Sequence, residues 1–267
     1  MAIQEFLGRF YYAAASDGKD IVIDGTYDVN LNSGYRYITG YSGESSLQLC
    51  EHIETVIQAI GALGEGSMTV DYDFVDNRIE FGWAGSHSMV ICASLATILG
   101  MATSQSSAQS HAGTRQPRYV WIPDQGADYH DVDYNQFWSE ESQTLMARSA
   151  SGVTYSVAGT MLYSNELTYS LLPRAKVITP TTGTAYADFQ QFYTDVLHAG
   201  QPVRVIKDTT SISEYQSTNY VTAMVMERGG FGPSQLPSFN DFANRHIKNY
   251  QNLWDVKIPL VKHIEAS

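Results

Sequence analysis

The sequence is short of charged residues and of long apolar runs, and each shortage excludes a class of protein. Charged residues make up 16% of the 267 positions, against about a quarter in a typical soluble chain. Lysine and arginine do not cluster and the net charge is −12. Because nucleic acids need a basic face, we reject DNA or RNA as a partner. No apolar run reaches the roughly 18 residues of a membrane helix.

The start of the chain also lacks a targeting signal. MAIQEFLGRFYY has no charged region followed by an apolar stretch, as a signal peptide would. We therefore expect a soluble protein that is made in a cytoplasm and has no membrane partner.

Cysteine is scarce as well, with Cys50 in an amphipathic helix pattern and Cys92 in an apolar run. Free cysteine is among the most often buried residue types, so we interpret both as buried free thiols. A zinc site would need more ligands nearby, and neither CxxC nor HxxxH spacing occurs. We expect no bound metal and no cofactor.

Catalytic motifs are missing too. There is no GxSxG, and GGFG at 229–232 lacks the lysine and the helix pattern of a phosphate loop. His87 follows Ser86, but neighbours in a strand point to opposite faces, so their adjacency indicates nothing. The seven histidines form no pattern. We expect a protein that is not an enzyme, with no catalytic residues, although a site built from distant residues stays open.

The residues that are abundant favour sheets. Eighteen tyrosines accompany many serines and threonines, types that suit half-buried sheet surfaces. Two amphipathic helices are predicted, at about 45–60 and 185–199. Ser45 and Gln48 fit a capping box at the start of the first.

Strands are predicted over most of the remaining chain. Apolar residues alternate with polar ones from Met161 to Pro173, which predicts a half-buried strand that pairs with 152–157 as a hairpin. Three more strands are predicted at 202–208, 220–228 and 254–263. We predict an α+β chain, mainly antiparallel β, with sandwich or barrel-like modules.

The segment DYDFVDN at 71–77 is rich in acid and could be a calcium loop. It fails that test because Val75 stands at the fifth position and Gly82 at the twelfth. Alternation explains it better, with Val70, Tyr72 and Phe74 opposite Ile79, Phe81 and Trp83. Asp76-Asn77 then supply a turn that tolerates positive φ, and the aspartates face solvent.

A second acidic segment lies at 124–133. Its oxygens could hold a hard cation, but loops of this composition are usually only solvated, which is the reading we prefer. Its candidate ligands are Asp124, Asp128, His130, Asp131 and Asp133.

The chain is divided by a polar stretch, SQSSAQSHAGTRQP at 104–117, which we interpret as a linker or loop. We predict an α+β module at 1–103 and a β-rich module with one helix at 118–267.

Asp128 and Glu166 are the acidic residues whose substitution would test whether the protein is a hydrolase.

The order of elements in 29–101 resembles a module in structural proteins of tailed bacteriophages. The matching residues are Gly34-Tyr35, Tyr72-Asp73, Arg78-Ile79 and Leu95 to Leu99-Gly100-Met101. FQQFYTDVLHAGQPVRVIKD and the closing WDVKIPL are similar to distal-tail or tail-tip proteins.

The resemblance implies a structural virion protein that forms a homo-oligomeric ring at the tail tip or baseplate, in contact with other tail proteins. Contact with the host surface would be indirect. A head-decoration or neck protein and a carbohydrate- or receptor-binding module remain as alternatives. The resemblance assigns no functional residue.

Overall fold

The structure is a computed structural model. It describes residues 5–40, 46–73, 76–123, 139–142, 145–148, 154–157, 161–178, 188–206, 220–225, 238–245 and 253–262.

The strands in chain order are β1 (Glu5–Gly8), β2 (Phe10–Tyr12), β3 (Ile21–Ile23), β4 (Tyr27–Val29), β5 (Gly34–Arg36), β6 (Thr69–Asp73), β7 (Arg78–Ile91), β8 (Ser104–Ala112), β9 (Val120–Trp121), β10 (Ser139–Ser142), β11 (Leu145–Arg148), β12 (Thr154–Val157), β13 (Met161–Pro173), β14 (Val203–Ile206), β15 (Tyr220–Val225), β16 (Ala243–Arg245) and β17 (Leu253–Lys262). The helices are α1 (Leu49–Gln58), α2 (Ala93–Leu99), α3 (Arg174–Val177), α4 (Phe189–Phe192) and α5 (Phe239–Phe242). A 3₁₀ turn spans Gly61–Leu63, and a π-helical turn, Tyr193–Leu197, continues α4.

Strand β7 is the centre of a five-stranded antiparallel sheet. It pairs with β3, β6 and β8, and β4 completes the sheet by pairing with β3. The apolar face of α1, Leu49, Cys50, Ile53 and Ile57, is buried in the core that also takes the inward residues of this sheet.

An eight-stranded sheet runs in the order β10-β13-β17-β15-β14-β1-β9, and β16 pairs with β17. Its core is aromatic, with Phe6, Trp121, Phe189 and Phe192 buried together. Two small sheets, β2-β5 and β11-β12, complete the described strands. The predicted class is therefore confirmed as α+β with mostly antiparallel strands. In the described part of the chain no sheet closes into a barrel.

The first predicted helix is shorter than expected because bridging backbone precedes it. Tyr37 N donates to Leu47 O at 2.7 Å, and Leu49 N donates to Tyr37 O at 2.8 Å. These bonds hold Gln48 extended, so it is the N-cap of α1, with no side-chain capping bond. The predicted capping box is wrong in its placement of Gln48, and Ser45 lies outside the described residues.

The second predicted helix, at 185–199, is present over Phe189–Leu197. The Asp188 carboxylate begins it by accepting from Gln191 N at 2.9 Å. Phe189, Phe192 and Val196 are buried, as the periodicity predicts. Residues 185–187, at the start of the predicted helix, lie outside the described residues.

The hairpin predicted around DYDFVDN is confirmed. Val70 pairs with Phe81 and Tyr72 with Ile79. Asn77 has φ of 54°, in the region that asparagine tolerates in turns. Asp71 is exposed, whereas Tyr72 is buried.

Two predictions about the middle of the chain are wrong. Residues 152–157 do not form a hairpin with the strand from Met161, because β12 pairs with β11 while β13 pairs with β10 and β17. The linker or loop expected at 104–117 is a strand over Ser104–Ala112, which lies along β7. Because this strand consists mostly of serine and glutamine, it has no alternating apolar pattern from which a strand could be predicted. The division into two modules stays a prediction.

The two cores are joined by chain crossings and polar contacts. Strand β1 comes from the N-terminal part but pairs with β14 and β9 in the eight-stranded sheet. Arg118 donates to both carboxylate oxygens of Asp195, at 2.7 and 2.9 Å. A bidentate pair of this kind fixes both position and orientation.

The end of α2 generates a stability prediction. Gly100 has φ of 69°, and a Cβ there would lie 2.4 Å from Arg115 O. Gly64 has φ of 75° with nothing within 4 Å of the same atom. The Gly64→Ala protein should therefore lose about 1 kcal/mol of its free energy of unfolding, from backbone strain alone. The Gly100→Ala protein should lose about 2 kcal/mol more of its free energy of unfolding, because the 113–118 loop has to move to relieve the contact with Arg115 O. Urea unfolding measures both, and equal losses would show that the carbonyl contact is unimportant.

Candidate functional site

Three ionisable residues that are far apart in the sequence meet beside strand β7. His87 Nδ1 lies 2.6 Å from Asp24 Oδ2, and His87 Nε2 lies 2.9 Å from Glu65 Oε1. Asp24 belongs to the turn between β3 and β4, and Glu65 precedes β6. We call Asp24, Glu65 and His87 the carboxylate–imidazole cluster.

Glu65 also binds the backbone of β7. Its two oxygens accept hydrogen bonds from Ala84 N and Gly85 N, both at 2.7 Å. The Glu65 side chain is only 4% exposed, so these donors replace the water that burial removes. The backbone groups lie where β7 and β8 lose register, between the pairs Gly82–Ser110 and His87–Ala108.

The cluster is arranged to hold a positive charge on His87. Burial of the ring opposes that charge, but the hydrogen bonds with Asp24 and Glu65 outweigh it, so the pKa of His87 is raised. The hydrogen bond with His87 lowers the pKa of Asp24. Burial tends to raise the pKa of Glu65, but hydrogen bonds from Ala84 and His87 lower it overall.

This geometry favours a structural role for the carboxylate–imidazole cluster over a catalytic one. Both ring nitrogens of His87 are occupied by carboxylates, so neither faces a substrate or a metal. Trp83 packs against the ring with centroids 5.2 Å apart, and His111 Nε2 lies 2.8 Å from His87 O. Sequence reasoning missed the cluster because its members are up to 63 positions apart. The neighbour that it considered, Ser86, is not part of it.

Strand β8 forms a long exposed edge on the same sheet. Six of its nine side chains are exposed and His111 is its one buried residue. Among the described strands it pairs with β7 alone. It carries no Asp, Glu, Lys, Arg or Pro.

An aromatic patch lies on the small sheet of β2 and β5. Tyr11 and Tyr35 are cross-strand partners, with ring centroids 5.3 Å apart, and are 57% and 49% exposed. The Arg9 guanidinium lies 4.8 Å from the Tyr35 ring centroid, a cation–π contact. We call Arg9, Tyr11 and Tyr35 the aromatic patch.

The candidates from sequence do not form a site in the described residues. The five possible ligands of the 124–133 loop lie outside them. Glu166 is paired through its backbone with Pro259 in the eight-stranded sheet. No group of three or more His, Cys, Asp or Glu residues could hold a metal in the part of the chain that is described. Nor is any helix there both long and apolar enough to cross a membrane.

The two cysteines are free. Cys50 is buried as predicted, and burial raises the pKa of its thiol. Cys92 is only half-buried, because it stands at the N-cap of α2 and not inside a strand.

No protein-family model, curated protein or solved structure matches the chain.

The cluster predicts a pH dependence of stability. Since folding raises the pKa of His87 above its ordinary 6.5, the stabilisation is complete below about pH 6.5 and is lost as pH rises through the raised value. The carboxylates act in the opposite direction, and their stabilisation is lost only as pH falls below about 4.5. His87→Gln should cost about 2 kcal/mol near pH 6 and clearly less near pH 9.

Urea unfolding of both proteins across this range measures the difference. His52→Gln is the matched control, because burial lowers the pKa of His52 and its difference from the wild type should change with pH in the opposite direction. A His87→Gln cost that is constant with pH would contradict the ion-paired state.

Proposed function

We propose that this chain is a non-enzymatic structural component of a bacteriophage virion, which assembles with its own copies into a ring at the tail tip or baseplate. The bacteriophage assignment rests on the sequence resemblance described above. The observation that carries self-assembly is the β8 edge. The protein would be located in the virion, in contact with other tail proteins.

The β8 edge supports assembly because it is long and carries neither proline nor a charged Asp, Glu, Lys or Arg side chain. Natural edge strands avoid pairing with other chains through charged side chains, proline, short length or bulges, and of these β8 has only a bulge, near Ser106 and Ser107. The other outer strands of this sheet fit that rule, since β4 has three residues including Asp28, and β6 carries Asp71 and Asp73. Strand β8 has nine residues and none of these charges.

The aromatic patch supports the same proposal from another face. Tyrosine and arginine are enriched among the residues that carry binding energy at protein interfaces. Arg9 is also fixed through Nε to Gln201 Oε1 at 3.2 Å. A side chain held in place loses less conformational entropy when it binds a partner.

Self-assembly predicts a mass in solution greater than that of one chain. Light scattering at several concentrations should give a discrete species that is a multiple of 29.6 kDa, or growth into rings as concentration rises. Electron microscopy of that species would then show its symmetry. A mass of one chain at every concentration would contradict self-assembly.

A carbohydrate-binding module is the second candidate, and the exposure of Tyr11 and Tyr35 favours it. Exposed aromatic rings offer apolar faces for sugars, and Arg9 offers donors for their hydroxyl groups. If this reading holds, a glycan array should give specific binding that Tyr11→Ala reduces at least about tenfold. Val90→Ala, which removes another exposed apolar side chain, should leave binding unchanged. Absence of binding by the wild type would count against this candidate.

A further inference from the structure

The sequence of the β8 edge reads nearly the same in both directions. Residues 104–110 are Ser-Gln-Ser-Ser-Ala-Gln-Ser. About Ser107 as the centre, serine mirrors serine at 104 and 110, and glutamine mirrors glutamine at 105 and 109. The remaining mirrored pair, Ser106 and Ala108, differs by one hydroxyl group.

A twofold axis can relate an antiparallel pair of identical strands whatever their sequence, but the mirror sequence of β8 would make the residues that lie opposite each other alike. Residue i of one copy then lies opposite residue j of the second, and j of the first lies opposite i. We propose that β8 pairs edge to edge with β8 of a second copy, around a twofold axis at Ser107. This inference rests on the proposed self-assembly and names one surface that makes it.

The register gives each side chain a suitable neighbour. Gln105 lies opposite Gln109 of the second copy, where two amides can exchange hydrogen bonds, and Ser104 lies opposite Ser110. Small residues occupy the centre, and no charged residue lies at any position of the pair. Backbone groups on the outer edge of β8 would gain partners, which is how strand addition gives affinity.

The irregularity of β8 falls at the same centre. Between the pairs His87–Ala108 and Met89–Gln105, β8 advances three residues while β7 advances two. This bulge curves the strand near Ser106 and Ser107. The twofold axis would bring the bulges of the two copies together at its centre, and because a bulge interrupts a ladder locally, the backbone pairing would form on either side of Ser107.

A twofold contact joins two subunits, or two rings stacked face to face. It therefore adds to the contacts that close a ring and does not replace them.

Cysteine cross-linking tests the register directly. Directly opposite residues of an antiparallel pair have Cα atoms about 4.5–5.5 Å apart, within the range that a disulfide spans. Ser107→Cys should therefore form a covalent dimer under mild oxidation, seen by non-reducing electrophoresis. Ser104→Cys should not, because its two copies would be about 20 Å apart along the strands. The double variant Ser104→Cys with Ser110→Cys should cross-link again.

Each outcome decides between the claims. The wild type is the background control for Cys50 and Cys92. Cross-linking of Ser107→Cys and of the double variant, but not of Ser104→Cys, supports the proposed register. If the wild type assembles but Ser107→Cys gives no dimer, the β8 pairing is wrong while self-assembly stands. If the wild type is a monomer and no variant cross-links, both fail.

A charge variant tests the same contact without oxidation. Ser107→Lys places two lysines opposite each other on the axis and should weaken association by about tenfold or more in light scattering, since like charges at an interface repel. Thr55→Lys adds the same charge at an exposed position of α1 and should leave association unchanged. Equal effects of the two variants would overturn the β8 pairing.

Discussion

A buried carboxylate must be matched by donors, and in this protein Glu65 shapes the central strand through that requirement. Between its pairs with Ser110 and Ala108 of β8, strand β7 advances five residues while β8 advances two. The backbone would leave groups without strand partners there, and Glu65 accepts from two of them, Ala84 N and Gly85 N. When His87 is protonated, which its raised pKa favours, its charge balances that of Glu65. The interruption of the β7–β8 pairing is thus stabilised by specific hydrogen bonds to Glu65.

Through these contacts, β7 is held to the segments around several other strands. Before the interruption β7 pairs with β6, and beyond it β7 pairs with β3. Asp24 reaches the cluster from the turn that follows β3, and it also accepts from Ser88 N at 2.8 Å. The β3–β4 turn, the approach to β6 and the bend in β7 are consequently held by one set of charges.

A second buried carboxylate organises the start of the chain in a similar way. Asp20 accepts from the Tyr12 hydroxyl and from Ala15 N on one oxygen, and from Leu31 N on the other. Its partners lie on both sides of it in the sequence, so it closes the loop that leads from β2 to β3. Burial and the hydrogen bond with Asp20 raise the pKa of Tyr12, which keeps the hydroxyl protonated as a donor.

The sequence predicts those parts of the fold whose patterns are local. Alternation locates the 70–83 hairpin, and its turn residue Asn77 has the positive φ expected. Helical spacing identifies the buried faces around Ile53 and Phe192. Boundaries are less predictable, because the start of α1 depends on a bridge between Tyr37 and Gln48, and no local pattern reveals that bridge.

Pairing and site geometry depend on long-range contacts, and there the sequence fails. The partner of β12 is β11, a choice that alternation leaves open because any half-buried strand offers the same face. The carboxylate–imidazole cluster joins residues from three separate segments. Each of its members looks like an ordinary polar residue in its own segment, and only folding brings them within hydrogen-bond distance.

Strand β8 was not predicted because it has no apolar face, and the same lack of burial leaves its outer edge available for pairing. Burial of one face normally creates an apolar pattern and fixes the register of a strand. β8 has polar side chains on both faces, so little of its stability comes from burial. Its position depends on the ladder with β7 and on His111, which is buried and bonded to His87 O. A strand that is held mainly through its backbone on one edge has a second edge of the same chemistry to offer.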